Sequence, residues 1–262
     1  MLTFTSEQMA AWMAAFIFPL ARILAFIASS PIFGNKQVSV RIKIGLSLVL
    51  TFVIAPTLQI PSDIRPGTMT GMLVLVEQIL AGIAMGFTMR VVFAAAEMAG
   101  ELIGMQAGLG FASFFDPVNA SFTPVLAQFL GMLAVLAFLA LDGHLYLIAT
   151  LAESFHAFPI SAALPNREGV HLLALWGGSL FAFSLQIALP LLGALLIVNL
   201  ALGILTRSAP QLHLFAIGFP ITMAVGFIGL ILSMGYFAPL LDQFTHAGME
   251  QALKVMTQLG KH

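Results

Sequence analysis

The stretch AEMAGELIGMQAGLGFASFFDP, Ala96 to Pro117, carries two signals that decide how the chain is read. Its first half sets a small residue at every fourth position: Ala96, Gly100, Gly104 and Gly108. Residues one helical turn apart share a face, and small ones there let a second backbone approach closely. The second half crowds Phe111, Phe114 and Phe115 onto a segment that also holds Gly110 and the pair Asp116 and Pro117. Gly108 and Gly110 supply φ values that other residues resist, and Asp116 with Pro117 ends the loop and restarts structure. The reading is a helix pressed against close neighbours that opens directly into an aromatic loop. A connection between helices is ordinarily polar, so rings held on an irregular backbone require apolar surroundings. A further pair, Gly82 and Gly86 in GIAMG, has the same spacing and is assigned to the preceding helix.

Working outward, composition fixes the class. Only 8% of the 262 residues are charged, where a soluble chain has about 25%. With 60% hydrophobic residues and a mean hydropathy of +1.03, the solvent of this chain is lipid or other protein. A formal net charge of −1 and the lack of any basic run set aside nucleic acid as a partner. Cysteine is absent, which removes disulfides, thiolate nucleophiles and Cys-type zinc sites. The first sixteen residues have no basic leader and no small-residue cleavage site, so the first helix is expected to stay.

Apolar runs cover roughly Met9 to Ser30, Ile44 to Ile60, Met72 to Ala96, Val125 to Leu141, Val170 to Leu205 and Leu212 to Leu241. Most approach the ~20 residues that a spanning helix needs. Pro- and Gly-bearing breaks separate them, and Pro19, Pro190 and Pro220 are expected to kink or interrupt the helices they fall in. Lys36, Arg41 and Lys43 make the first connection the most basic, but the remaining loops carry too few cations to fix an orientation.

Polar residues within such runs are expensive in hydrocarbon and therefore informative. Arg22, Glu77, Arg90, Glu97, Glu101, Asn199 and Arg207 form the candidate buried polar seam. At about 100° per residue, Arg90, Glu97 and Glu101 fall in one narrow stripe. One reading of the stripe is a proton or cation path, as in a small polytopic secondary transporter. The other is a seam buried against partner helices. No HExxH pair, nucleophile elbow, P-loop or dinucleotide fingerprint occurs, and the six histidines are scattered, so neither an enzyme nor a metal or cofactor site is expected.

Six stretches in order resemble the FliR family of flagellar type III export-gate proteins, which is related to the injectisome SctT proteins. They are TSEQ at Thr5 to Gln8, PLARILAFIASSPIFG at Pro19 to Gly34, RIKIGLSLVLTFVIAP at Arg41 to Pro56, GELIGMQAGLGFASFFDP at Gly100 to Pro117, DGHLYLI at Asp142 to Ile148, and NLALGILTRSAPQLHLFAIGFP at Asn199 to Pro220. The resemblance implies an all-α, membrane-associated subunit of broken helical hairpins. A FliP-like part would cover residues 1 to about 160 and a FliQ-like hairpin about 166 to 262. It implies assembly with FliP-like and FliQ-like chains into a pore in the bacterial inner membrane, with an FlhB-like protein at the cytosolic mouth. Unfolded flagellar proteins would pass through that pore. The phenylalanine loop, Gly108 to Pro117, would contribute to the plug that closes the channel.

Overall fold

A continuous apolar run folds as helix because only helices and closed barrels satisfy every backbone group without water. The computed structural model follows that rule. It describes residues 6–58, 61, 64–109, 124–162, 165–208 and 214–261, and among them there is helix and no strand. The helices are α1 (Ser6–Ser29), α2 (Val40–Ile54), α3 (Met69–Gln106), α4 (Val125–Ala140), α5 (Gly143–Ala157), α6 (Arg167–Gly177), α7 (Ser179–Ser208) and α8 (Leu214–Leu259). Among the described residues, five candidate spans are long and apolar enough to cross a membrane. A sixth arises if α4 and α5, separated at Leu141 and Asp142, count together.

The helix ends are marked by local chemistry. Ser39 caps α2, accepting from the Ile42 amide at 3.4 Å, and Thr68 caps α3, accepting from the Gly71 amide at 3.1 Å. Asn166 does the same for α6 through the Glu168 amide at 3.1 Å. Asp142, at φ 55°, makes the left-handed turn from which α5 starts.

Three sequence expectations change here. Gly82 and Gly86 do not belong to a separate, earlier helix: α3 runs unbroken from Met69 to Gln106 and carries both glycine series. Nothing between Gly86 and Ala96 breaks a helix, since that stretch is FTMRVVFAA, without proline or glycine. Second, of the kink or interruption expected at Pro19, Pro190 and Pro220, interruption does not occur. α1, α7 and α8 continue through them, and α8 also continues through Pro239. Each proline removes one backbone bond from helices of 24, 30 and 46 residues, and the remaining ladder carries the segment through. The chain instead breaks at Leu141–Asp142 and at Gly178, where no proline stands. Third, α8 extends to Leu259, well beyond the apolar run that ends at Leu241, and DGHLYLI opens a full helix, α5.

Two compact units divide the chain. The first comprises residues 1–91, 142–177 and 245–262; the second comprises 92–141 and 178–244. In the first, Phe18, Ile23, Phe26 and Ile27 of α1 are fully buried, as are Met85 and Met89 of α3, Leu151 of α5 and Met256 near the end of α8. Asn166 also fastens the end of α8, with its amide donating to the Leu259 carbonyl at 3.1 Å and its side chain to the Lys261 carbonyl at 3.1 Å. In the second unit, Phe93 of α3 meets Phe138 of α4 edge-on at 5.4 Å, and Phe183 of α7 stacks on Phe244 of α8 at 4.1 Å. Large apolar side chains also face outward: Phe52 is 73% exposed, Ile197 71% and Leu232 78%. Surfaces of that kind are stable only against lipid or protein.

Candidate functional site

The anchor of the aromatic segment lies in the second unit. α3 ends as a helix with a left-handed cap: Gly108 has φ 86° and its amide donates to the Met105 carbonyl at 3.1 Å. The last carbonyls of a helix have no partners within it. Here two of them are met by side chains. Asn199 Nδ2 on α7 donates to the Gln106 carbonyl at 3.4 Å, and Thr222 Oγ1 on α8 lies 3.2 Å from the Ala107 carbonyl, sharing its one proton between that carbonyl and the Phe219 carbonyl of its own helix at 3.0 Å. Gly226 permits this approach, because a Cβ there would stand 3.1 Å from the Ala107 methyl. The expected role of Gly108 as a residue of unusual φ therefore coincides with an observed left-handed backbone. Gly110, Phe111, Phe114, Phe115, Asp116 and Pro117 lie outside the described residues.

The small residues are not equivalent. A Cβ on Gly100 would collide with the Leu126 carbonyl of α4 and come within 2.7 Å of Ala127 Cα, whereas one on Gly104 would sit 3.8 Å from the Leu126 side chain, an ordinary contact. Ala96 is fully buried. In the first unit, a Cβ on Gly82 would collide with the Arg22 carbonyl and stand 2.9 Å from both the Ala25 methyl and the Phe26 nitrogen on α1, and one on Gly86 would collide with Ser29. The GxxxG pair thus brings α3 onto α1. Gly100→Ala is expected to destabilise by about 1–3 kcal/mol, because backbone must move. Gly104→Ala is expected to be neutral or to stabilise by up to about 1 kcal/mol through helix propensity. Thermal unfolding of both variants in the purified assembly checks the order, and equal losses would contradict it.

The polar residues separate by burial. Arg22 is fully buried on α1, and what surrounds it explains how an apolar helix carries it. Its Nε donates to Gln78 Oε1 at 2.8 Å, Nη1 to the Ser154 carbonyl at 2.9 Å, and Nη2 to the Phe158 carbonyl at 2.7 Å. Ser154 and Phe158 lie at the C-terminal end of α5, where the helix dipole favours a cation. The guanidinium also lies 4.3 Å from the Phe155 ring centroid and 5.3 Å from that of Phe158. One side chain so joins α1, α3 and α5. Glu77 is buried beside an apolar cavity of about 540 Å³ that Phe87, Phe158, Leu173 and Leu259 help to line.

The rest of the seam is less enclosed. Arg90 and Arg207 are exposed, Glu101 and Asn199 are half-buried, and the exposed Glu97 lies across α4 at Gly131, where an added Cβ would stand 2.8 Å from its Cγ. Among the described residues no group of three or more His, Asp or Glu side chains is arranged to hold a metal ion. Sequence reasoning passed over Gln78, Ser154, Phe158 and Thr222, each an isolated polar or aromatic residue within a helical pattern.

Among the described residues the chain is helical, with five candidate spans long and apolar enough to cross a membrane and with small-residue helix contacts, the make-up of a membrane-associated protein built for close packing. The model of the family "Bacterial export proteins, family 1" matches residues 13–248. The chain is 45% identical to the flagellar biosynthetic protein FliR of Pectobacterium carotovorum subsp. carotovorum over 245 residues, covering 93% of this chain and 92% of that one. It is also 45% identical to FliR of Escherichia coli (strain K12) over 239 residues, 91% of each chain. At greater distance, FliR of Bacillus subtilis (strain 168) is 30% identical over 223 residues, 84% of this chain and 86% of that one. The chain belongs to the FliR family of flagellar biosynthetic export proteins.

Proposed function

We propose that this chain is a pore-forming subunit of the flagellar type III export gate, and that the segment Gly108 to Pro117 contributes to the plug that closes its channel. The observation that carries the reading is the anchored end of α3. Gly108 turns the backbone out of the helix, while Asn199 and Thr222 hold the last carbonyls, so the phenylalanine-bearing residues depart from a fixed point. Rings at a narrow neck exclude water and ions by dewetting, and an extended polypeptide can displace them without any chemical step. The assembly consists of FliP-like and FliQ-like chains in the bacterial inner membrane, with an FlhB-like protein at the cytosolic mouth and unfolded flagellar proteins as cargo. The chain itself divides into a FliP-like part up to about residue 160 and a FliQ-like hairpin from about residue 166.

Outward apolar side chains such as Phe52, Ile197 and Leu232 support the need for partners. Expressed alone in detergent, the chain is expected to be heterogeneous or unstable, and co-expression with FliP-like and FliQ-like subunits is expected to yield a single complex by size exclusion. A monodisperse, thermally robust monomer would contradict an obligate subunit.

A further inference from the structure

Within the second unit, the grip on α3 slackens toward its C-terminal end. At Gly100 the helix is pressed on the α4 backbone, where an added Cβ would stand 2.7 Å from Ala127 Cα, while at Gly104 the nearest atoms are 3.8 Å away on the Leu126 side chain. The last turn is then held against α7 and α8 by contacts of another kind. Asn199 Nδ2 reaches the Gln106 carbonyl at 3.4 Å and Thr222 Oγ1 the Ala107 carbonyl at 3.2 Å, both at the long end of the hydrogen-bond range. The apposed residues Ala107 and Gly226 are buried and small. Such residues let two backbones approach but bury little apolar area, so the hold is close without being strong. Thr222 has a second acceptor for its one proton, the Phe219 carbonyl of its own helix at 3.0 Å, and its hydroxyl loses no bond when α3 moves away. Gly108, at φ 86°, ends the helix directly beyond this turn and gives the backbone a pivot.

We infer that the last turn of α3 is a releasable dock: it rests on α7 and α8 in the resting assembly and parts from Gly226 during export, with Asn199 and Thr222 as the positioning residues that set how readily it leaves. The inference rests on the export-gate reading and adds the regulation of the anchored end of α3. Docked and released, Thr222 keeps an acceptor, while the contacts at Gly100 stay in place and confine the motion to the end of the helix. An element with two such arrangements is what a switch requires.

The chain has no cysteine, so the pair Ala107→Cys with Gly226→Cys introduces its only two thiols. A Cβ built on Gly226 stands 3.1 Å from the Ala107 Cβ, a few tenths of an ångström inside the roughly 3.5–4.5 Å that a disulfide spans. In the complete export apparatus in its own membrane, oxidant is expected to join the pair at rest. Secretion of a flagellar protein is then expected to fall at least tenfold and to return when reductant is added, with neither single-cysteine variant responding to oxidant. The amount of assembled complex is measured in both states. Added to the pair, Thr222→Val keeps the volume without the donor and is expected to lower the disulfide yield at least threefold at matched assembly, while Thr222→Ser keeps the yield of the pair. Should the pair fail to accumulate, Gly226→Ala decides the matter: its methyl, 3.1 Å from that of Ala107, is expected to weaken the dock and raise secretion at least twofold, and unchanged secretion would overturn the inference. A pair that does not oxidise in the resting assembly would also overturn it, as would equal yields for Thr222→Val and Thr222→Ser. Undiminished secretion from the fully cross-linked pair sinks the dock and spares the export-gate reading, whereas a strain that lacks the chain and still secretes sinks that reading and the dock with it.

Discussion

Replacing Arg22 by Ala is expected to be the most destabilising single change in the first unit. The truncation leaves the Phe158 carbonyl and the Gln78 amide oxygen without the donors they now have, in a buried setting. The Ser154 carbonyl fares better, since it also accepts from the Phe158 amide at 2.9 Å. Each buried acceptor left unmet costs about 1–3 kcal/mol, and the void left by the side chain adds to it, so the total is on the order of 4 kcal/mol. That is a large part of the roughly 5–15 kcal/mol by which a native protein is stable. Arg22→Met is expected to fall between Ala and the parent, because it fills the volume but donates nothing. Arg22→Lys is expected to lose most of the stability as well, since a single ammonium cannot span acceptors on α3 and α5 as a planar fork does. Thermal unfolding of the co-expressed assembly reads the series. A parent-like melting temperature for Arg22→Ala would mean that the bonds to Gln78 and α5 contribute nothing.

That cluster also shows where sequence reading stops. The burial of Arg22 was legible, because a charge within an apolar run is costly unless partnered. Its partners were not: Gln78 is 56 residues away, Ser154 132 and Phe158 136, and no local pattern links them. Most helices were legible as apolar runs, but α5 was missed as a run of its own. His144, Thr150, Glu153, Ser154 and His156 dilute its hydropathy, and it is helical through tertiary packing of Leu147, Leu151 and Phe155. For the same reason α8 looked shorter than it is. Asp242, His246, Glu250 and Lys254 end the apolar run, while Met249, Ala252, Val255 and Met256 keep one face buried to Leu259. The left-handed Gly108 was readable because it is a glycine closing a helix before a loop, and only glycine adopts that backbone without strain. The special tightness of Gly100 against Leu126, compared with Gly104, was not, because equal spacing says nothing about which contact is closest.

The second large effect concerns the aromatic segment. Replacing Phe111, Phe114 and Phe115 together by Ala removes three rings from the proposed plug but leaves untouched the contacts that anchor α3, namely Gly100 on Leu126, Asn199 on the Gln106 carbonyl and Thr222 on the Ala107 carbonyl. The assembly is therefore expected to form at parent yield. Its neck becomes wider and less apolar, so water enters and ions follow. Cells holding the variant gate without its export substrates are expected to leak small ions across the inner membrane. Single-complex ion conductance in planar bilayers, compared between the parent and triple-Ala assemblies at matched yield, tests the plug most directly. The export-gate account predicts a closed parent and a conducting variant, with an increase of at least tenfold in open-state current events. Equal, near-zero conductance in both would contradict it and assign closure of the channel to some other element.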